Sequence, residues 1–188
     1  GAVRPPHPRG TDMIPPAVIA SALPPGGPSS GDGEGVDCVV GRVSAADRLA
    51  IAEPALSDTP DQAGAVEAES RFSDHLVACA QLHGWDDAQI LRVSTLGVSR
   101  LVQDVARARL AGAGIDGAAL DLWFDRQSEE FRTTAFHTMD EAEFEAALMT
   151  LQDSVMAADL LEAHAGLVGG YLAMRVLAVR VERGLPIE

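Results

Sequence analysis

The strongest constraint on the fold of this chain is the helical spacing of apolar residues near its C-terminal end. One stripe repeats at alternating steps of four and three residues from Leu160 to Val181, and a second stripe runs beside it from Leu161 to Val179. Two adjoining stripes give a helix a wide apolar face, so such a helix is buried on most sides by its own domain or by a partner. Gly184 is typical of the residue that ends such a helix.

Further helices are predicted upstream from capping residues and helix-stop residues. Each start combines a residue that can cap a helix with a following apolar pattern of helical period, and two of the starts have a capping box. The predicted starts are Ser44, Thr59, Asp86, Asp116 and Thr138. The helix from Ser44 is short and reaches about Glu53, the helix from Thr59 stops at Gly84, and the helix from Asp116 is long and extends through Ala135.

Residues 1–35 differ from the rest of the chain. They contain most of the eleven prolines and end in a glycine-rich run without periodicity, which predicts a flexible, disordered Pro/Gly-rich arm. The run 36–43 is rich in valine, but it has no second strand to pair with, so we expect an extended segment or the lead-in to a helix. The sequence therefore predicts an all-α fold, in which residues 36–188 form one bundle of four to five helices behind this arm.

Charge and composition exclude several classes of partner. The chain has 28 acidic and 14 basic residues, all of the basic ones arginine, and a formal net charge of −14. This balance argues against a nucleic-acid partner and against binding to an anionic membrane surface. The uncharged run 163–174 is too short to span a bilayer. The absence of lysine and asparagine, whose codons begin with AA, indicates a GC-rich bacterial genome.

The cysteines and nearby histidines allow two interpretations. Cys38 and Cys79 are too few for a disulfide framework, which favours the reducing cytoplasm. We also expect no secretory leader, because the apolar run 14–23 is interrupted by Pro15 and Pro16. His75, Cys79 and His83 follow one another at steps of four, but the two histidines diverge by roughly 80°, so one metal ion cannot bind all three. Cys79 and His83 also lie on an apolar stripe, which favours a buried thiol and a hydrogen-bonded histidine. We predict no metal, no cofactor and no catalytic residue.

Acidic residues are concentrated between Asp116 and Glu162, where twelve carboxylates accompany two arginines. Asp121, Asp125 and Glu129 form a ladder of like charge at helical spacing, which costs a few tenths of a kcal/mol per pair. The ladder lacks the Glu-x-x-His pattern of a bundle metal site. A solvated acidic face is the favoured interpretation, and a docking surface for a basic partner is the alternative.

Two short segments resemble parts of known proteins. The stretch 84–110 (GWDDAQILRVSTLGVSRLVQDVARARL) is similar to the helical, pH-sensitive regulatory region that precedes some actinobacterial adenylate cyclases. The stretch 148–156 (LMTLQDSVM) resembles the C-terminal helix of type III secretion inner-rod proteins. Each covers less than a sixth of the chain and transfers no site residue, so the sequence assigns no family.

The leading functional hypothesis is a non-catalytic helical regulatory or assembly module that acts through protein–protein contacts and is oligomeric. Its expected interface lies on the last helix, at Leu167, Leu172, Met174, Gly166 and Gly170. The two glycines predict a kink or helix break, or else the close approach of another helix.

The second hypothesis is a bundle that encloses a small apolar ligand or lipid. Its expected lining is aromatic and consists of Trp123, Phe124, Phe131, Phe136, His164 and Tyr171. In this setting His164 is either a hydrogen-bonded core residue or a group that responds to pH. A third possibility is an all-α enzyme whose active site has no linear motif.

Overall fold

A computed structural model describes residues 30–57, 60–134 and 138–186, and all regular structure within these ranges is helical. In chain order the helices are α1 (Ser30–Val40), α2 (Ala45–Leu56), α3 (Gln62–His83), α4 (Asp87–Gly112), α5 (Gly117–Asp125), α6 (Glu129–Thr133), α7 (Glu141–Ser154), α8 (Ala158–Ala163) and α9 (Ala165–Glu182). The all-α class is confirmed. The described ranges hold nine helices, however, in place of the four to five predicted.

Several predicted helix ends are confirmed by the capping contacts. The Ser44 side chain accepts a hydrogen bond from the backbone of α2 at 3.1 Å. Asp86 and Gln89 form a complete capping box at the start of α4, and Asp116 caps α5. Gly84 ends α3 in the left-handed conformation, with φ of 68°, which a residue without Cβ adopts at little cost.

Helix α1 replaces the extended segment that the valine-rich run predicted. It begins at Ser30, within the range assigned to the arm, and continues to Val40. Val36, Val39 and Val40 are buried in a cluster with residues of α3 and α4, and this tertiary burial outweighs the weak helix propensity of valine. At Gly35 an added Cβ would lie 2.8 Å from the Trp85 ring, so the glycine permits this packing.

Two helices start later than predicted. Asp61 caps α3 and Asp140 caps α7, whereas the sequence suggested the threonines two residues earlier. Thr59 lies outside the described residues. Each aspartate accepts a hydrogen bond from a backbone N–H of the first turn, and its negative charge interacts favourably with the positive end of the helix dipole.

Two predicted long helices are interrupted. The helix expected from Asp116 ends at Asp125, and Ser128 then caps α6. The periodic C-terminal region is divided into α7, α8 and α9, with the second break at His164. In contrast, α2 continues past the expected stop at Glu53 and includes Pro54.

Helix α4 lies at the centre of the fold. It packs against α9 and α2 along much of its length and against α1 near its start. One buried cluster contains residues from α1 to α4, and a second, larger cluster joins the later part of α4 to α2 and to α5–α9. Between these contacts, the helices leave grooves at the α4–α9 boundary, at the α2–α4 boundary and among α7, α8 and α9.

Candidate functional site

Three of the aromatic residues expected to line a ligand cavity pack on one another in the core, and Trp123 also lines a groove of about 360 Å³ between α5 and α7. The Trp123 and Phe131 rings meet edge to face, with centroids 5.6 Å apart, and the Phe124 and Phe131 centroids are 6.4 Å apart. Trp123 donates from its ring nitrogen to the Thr150 hydroxyl at 3.1 Å. The structure therefore brings these three aromatic rings together. Phe136 lies outside the described residues.

Tyr171 is fully buried but belongs to a polar network at the boundary between α4, α5 and α9. Its hydroxyl donates to Asp121 Oδ1 at 2.5 Å and accepts from Arg107 Nε at 3.0 Å. Arg107 also pairs with Asp121 at 2.9 Å. Burial and then the hydrogen bond to Asp121 raise the pKa of Tyr171 to about 12. This network holds three helices together through one phenol, one guanidinium and one carboxylate.

Arginines from other helices neutralise the predicted carboxylate ladder. Arg175 of α9 lies 2.8 Å from Asp125 and 3.6 Å from Asp121, and Arg183 pairs with Glu129. The ladder therefore contributes to the packing of α9 against α5 and α6. This part of the acidic region is not a bare solvated face.

A polar cleft of about 490 Å³ lies between α1, α4 and α9, and we call it the α4–α9 cleft. Its lining includes six charged residues, three of each sign, together with polar and apolar side chains. The lining residues are Asp32, Gly33, Val36, Leu96, Ser99, Arg100, Gln103, Asp104, Arg107, Arg175, Ala178 and Glu182. Sequence reasoning missed this cleft, because its residues come from three helices that are distant in the chain.

Buried polar contacts hold the walls of the cleft in place. Ser99 and Gln103 of α4 both donate to the Met174 carbonyl of α9, at 2.6 and 3.3 Å. At the other end Arg92 donates to Asp32 of α1 and to the Val181 carbonyl, both at 2.9 Å. These contacts connect α4 to both neighbouring helices of the cleft.

Two apolar depressions lie elsewhere on the molecule. A pocket of about 210 Å³ among α7, α8 and α9 is lined by Phe144, Leu148, Leu161, Ala165, Val168, Gly169 and Leu172. A shallower groove of about 440 Å³ between α2 and α4 is lined by Ala45, Arg48, Leu49, Asp104, Val105, Ala108 and Arg109. The pocket lies next to the predicted ligand residue His164, which is half-buried at the junction of α8 and α9.

The predicted interface residues mostly pack within the chain. Leu172 is buried in the larger core cluster, and Leu167 and Met174 lie partly buried against it. Gly170 approaches α2 so closely that an added Cβ would lie 2.2 Å from the Ala55 carbonyl oxygen. Gly166 is exposed. The sequence predicts either a helix break or the close approach of another helix at these glycines. The close approach occurs at Gly170, and the neighbouring helix is α2 of the same chain.

The cysteines form a disulfide, which overturns the prediction of a buried free thiol. Cys38 of α1 and Cys79 of α3 are bonded, with Cα atoms 6.2 Å apart. The two residues are 41 positions apart in the chain, so no local motif could reveal the pairing. Cys79 is therefore not a free metal ligand, and His83 stacks on Trp85 with ring centroids 5.4 Å apart. Within the described residues no three His, Cys, Asp or Glu side chains are grouped to hold a metal ion.

A separate exposed surface follows one side of α3. Ala63, Val66, Ser70, Ser73 and Val77 repeat at steps of three and four residues and are all exposed, and we call them the α3 seam. Val66 is 64% exposed and Val77 is 55% exposed. Heptad-like spacing places such residues on one face of a helix. This face carries no charge, although carboxylates lie on either side of it.

Comparison with known proteins adds no assignment. No family model, no curated protein and no solved structure matches this chain. Over the described ranges, no helix is long and apolar enough to serve as a membrane span. The functional argument therefore depends on the surfaces and clefts of the molecule itself.

Proposed function

We propose that this chain is a non-catalytic helical regulatory or assembly module that acts through protein–protein contacts, beginning with a second copy of itself. The observation that carries the proposal is the α3 seam, whose apolar residues are exposed to solvent. Val66 and Val77 are each more than half exposed on a regular helix of 22 residues. Exposed apolar side chains aligned at heptad-like spacing are typical of helix pairing.

The seam is a better candidate for self-association than the predicted interface on α9. Most residues of that predicted interface contact α2 or the core of the same chain, whereas the seam faces solvent. Glu69 and Asp74 flank the seam, so two copies would bring carboxylates near each other. Salt screens such repulsion. We therefore expect self-association to strengthen as NaCl rises from low to moderate concentration.

Sedimentation velocity over a wide range of protein concentrations tests this proposal. The wild-type chain should show a dimer at high concentration, and Val66→Glu and Val77→Glu should each shift it to monomer. Leu82→Glu is the matched control, because Leu82 is 69% exposed on the same helix and lies roughly 140° around the axis from Val77. A wild-type monomer at every concentration would refute self-association, as would equal effects of all three substitutions.

A second candidate function is the binding of a small apolar ligand in the pocket among α7, α8 and α9. This pocket is lined entirely by apolar residues and glycine, and its volume of about 210 Å³ suits a short acyl chain better than a whole lipid. Native mass spectrometry of the purified protein tests it. A co-purified apolar molecule that disappears in Gly169→Leu, which fills the pocket, would support this function, and a ligand-free wild-type spectrum would count against it.

The disulfide weighs against the cytoplasmic location that the sequence predicted. Disulfides persist mainly in oxidising compartments and are rare in the cytosol. Rapid alkylation of thiols in cells that make the protein distinguishes the two cases. Free Cys38 and Cys79 would support the cytoplasm, and protected cysteines that react after reduction would support an oxidising compartment.

A further inference from the structure

The α4–α9 cleft brings opposite charges from three helices together in one concave site. Its six charged lining residues are balanced, although the whole chain carries a net charge of −14. Leu96 and Arg107, at the two ends of the α4 wall, are separated by eleven residues, or roughly 16 Å of helix. The volume of about 490 Å³ is within the usual range for a small-molecule site.

The arginines of the cleft offer donors for an anionic group. Arg100, Arg107 and Arg175 all line it. Arg100 is half-exposed and pairs with an exposed carboxylate, Asp37, across its rim. The Nε atom of Arg175 is buried and lies 3.6 Å from Asp121 Oδ1, too far for a hydrogen bond. A ligand carboxylate in the cleft could accept the hydrogen bond that this N–H does not make within the chain.

The carboxylates of the cleft offer acceptors for a cationic group. Asp32 is occupied by its buried pair with Arg92. Asp104 has Arg48 as its ion-pair partner at 4.0 Å, beyond hydrogen-bond distance. Glu182 is exposed and forms no ion pair within the described part of the chain. Asp104 and Glu182 are therefore available to a ligand cation without the loss of a strong internal contact.

We propose that the α4–α9 cleft binds a small zwitterionic ligand of the amino-acid class. Its carboxylate contacts Arg100, Arg107 and Arg175, because guanidinium groups bind carboxylates in bidentate geometry. Its ammonium contacts Asp104 or Glu182. Ser99 and Gln103 form a floor whose hydrogen bonds to Met174 are already made, so the floor need not rearrange. This site is separate from the α3 seam and does not depend on self-association.

Isothermal titration calorimetry with the full chain and three probes of equal length tests the ligand class. The probes are 6-aminohexanoate, hexanoate and hexylammonium. The zwitterion should bind roughly tenfold or more tightly than either singly charged probe, because each of those lacks one of the two charged contacts. Equal affinity for hexanoate and the zwitterion would overturn the proposal, as would the absence of binding by the zwitterion.

Variants at one arginine and one carboxylate of the cleft test the location. Arg100→Gln and Glu182→Gln should each weaken binding of 6-aminohexanoate by roughly tenfold. Arg42→Gln is the matched control, since Arg42 is exposed outside the cleft and its substitution changes the net charge as Arg100→Gln does. Loss of binding in the control to the same extent would show a non-specific charge effect and overturn the site. Circular dichroism of each variant verifies that the fold is retained.

Discussion

At the residue scale, Tyr171 provides the sharpest prediction, because it is the single tyrosine of the chain. Burial and its hydrogen bond to Asp121 raise its pKa to about 12, whereas tyrosine in an unfolded chain ionises near pH 10. The tyrosinate absorbance of the native protein should therefore appear roughly two pH units above that of the protein in guanidinium chloride. A native titration near pH 10 with unchanged circular dichroism would contradict the structure.

The sign of the stability effect follows from the same shift. Below pH 10 the phenol is protonated in both states, so its contribution to stability is fully present. As pH rises through 10 towards 12, the unfolded chain loses the proton while the folded chain keeps it, and stability falls by an amount on the order of 2 to 3 kcal/mol. Tyr171→Phe should remove this part of the pH dependence.

The contacts of individual side chains could be predicted only where both partners are close together in the sequence. The capping roles of Ser44, Asp86 and Gln89 depend on neighbours within three residues, and the sequence predicted them correctly. The pairing of Tyr171 with Asp121 joins residues 50 positions apart, and periodicity alone cannot select such a partner. The α4–α9 cleft escaped prediction for the same reason.

At the scale of elements, the contact between α9 and α2 depends on one of two adjacent glycines. A Cβ at Gly170 would lie 2.2 Å from the Ala55 carbonyl oxygen, whereas a Cβ at Gly169 would meet open space. Gly170→Ala should therefore destabilise the protein by about 1 to 3 kcal/mol, since overpacking outweighs the gain in helix propensity. Gly169→Ala should stabilise it by up to about 1 kcal/mol.

Urea unfolding of both variants measures this difference. The pair is well matched, because the substitutions are identical and the positions are adjacent in one helix. Equal stabilisation of the two variants would show that α2 does not approach α9 at Gly170.

Helix boundaries were predictable where a capping residue marks the end of the helix. The breaks at Ser128 and His164 were missed because the apolar spacing continues across them, and the spacing cannot show where a backbone turns. Helix α1 was missed because its local sequence favours a different structure from the one that tertiary packing stabilises. Its valines favour strand in isolation, and their burial against α3 and α4 decides the outcome.

At the scale of the whole molecule, arginines from distant parts of the chain neutralise some of the acidic residues that are clustered in the sequence. Residues 116–162 are strongly acidic, but arginines of α4 and α9 neutralise Asp121, Asp125 and Glu129. Within residues 116–162, Glu141, Glu145 and Asp159 of α7 and α8 remain exposed. Exposed carboxylates also lie on other helices, among them Glu69, Asp74 and Glu182, so the net charge is not confined to the acidic region that the sequence identified.

The disulfide gives the prediction that concerns the entire fold. The bond between Cys38 and Cys79 connects α1 to α3 across 41 positions. By the chain-entropy estimate, a loop of this length stabilises the folded state by roughly 4 kcal/mol relative to the reduced chain. Reduction should therefore lower the free energy of unfolding by an amount of that order, while the buried contacts of Val36, Val39 and Val40 keep α1 packed in the folded state.

Urea unfolding with and without dithiothreitol measures this effect, and the double variant Cys38→Ala/Cys79→Ala is its control. The double variant should match the reduced wild type and should not respond to dithiothreitol, because it has no bond to break. A reduced protein as stable as the oxidised one would contradict the chain-entropy estimate.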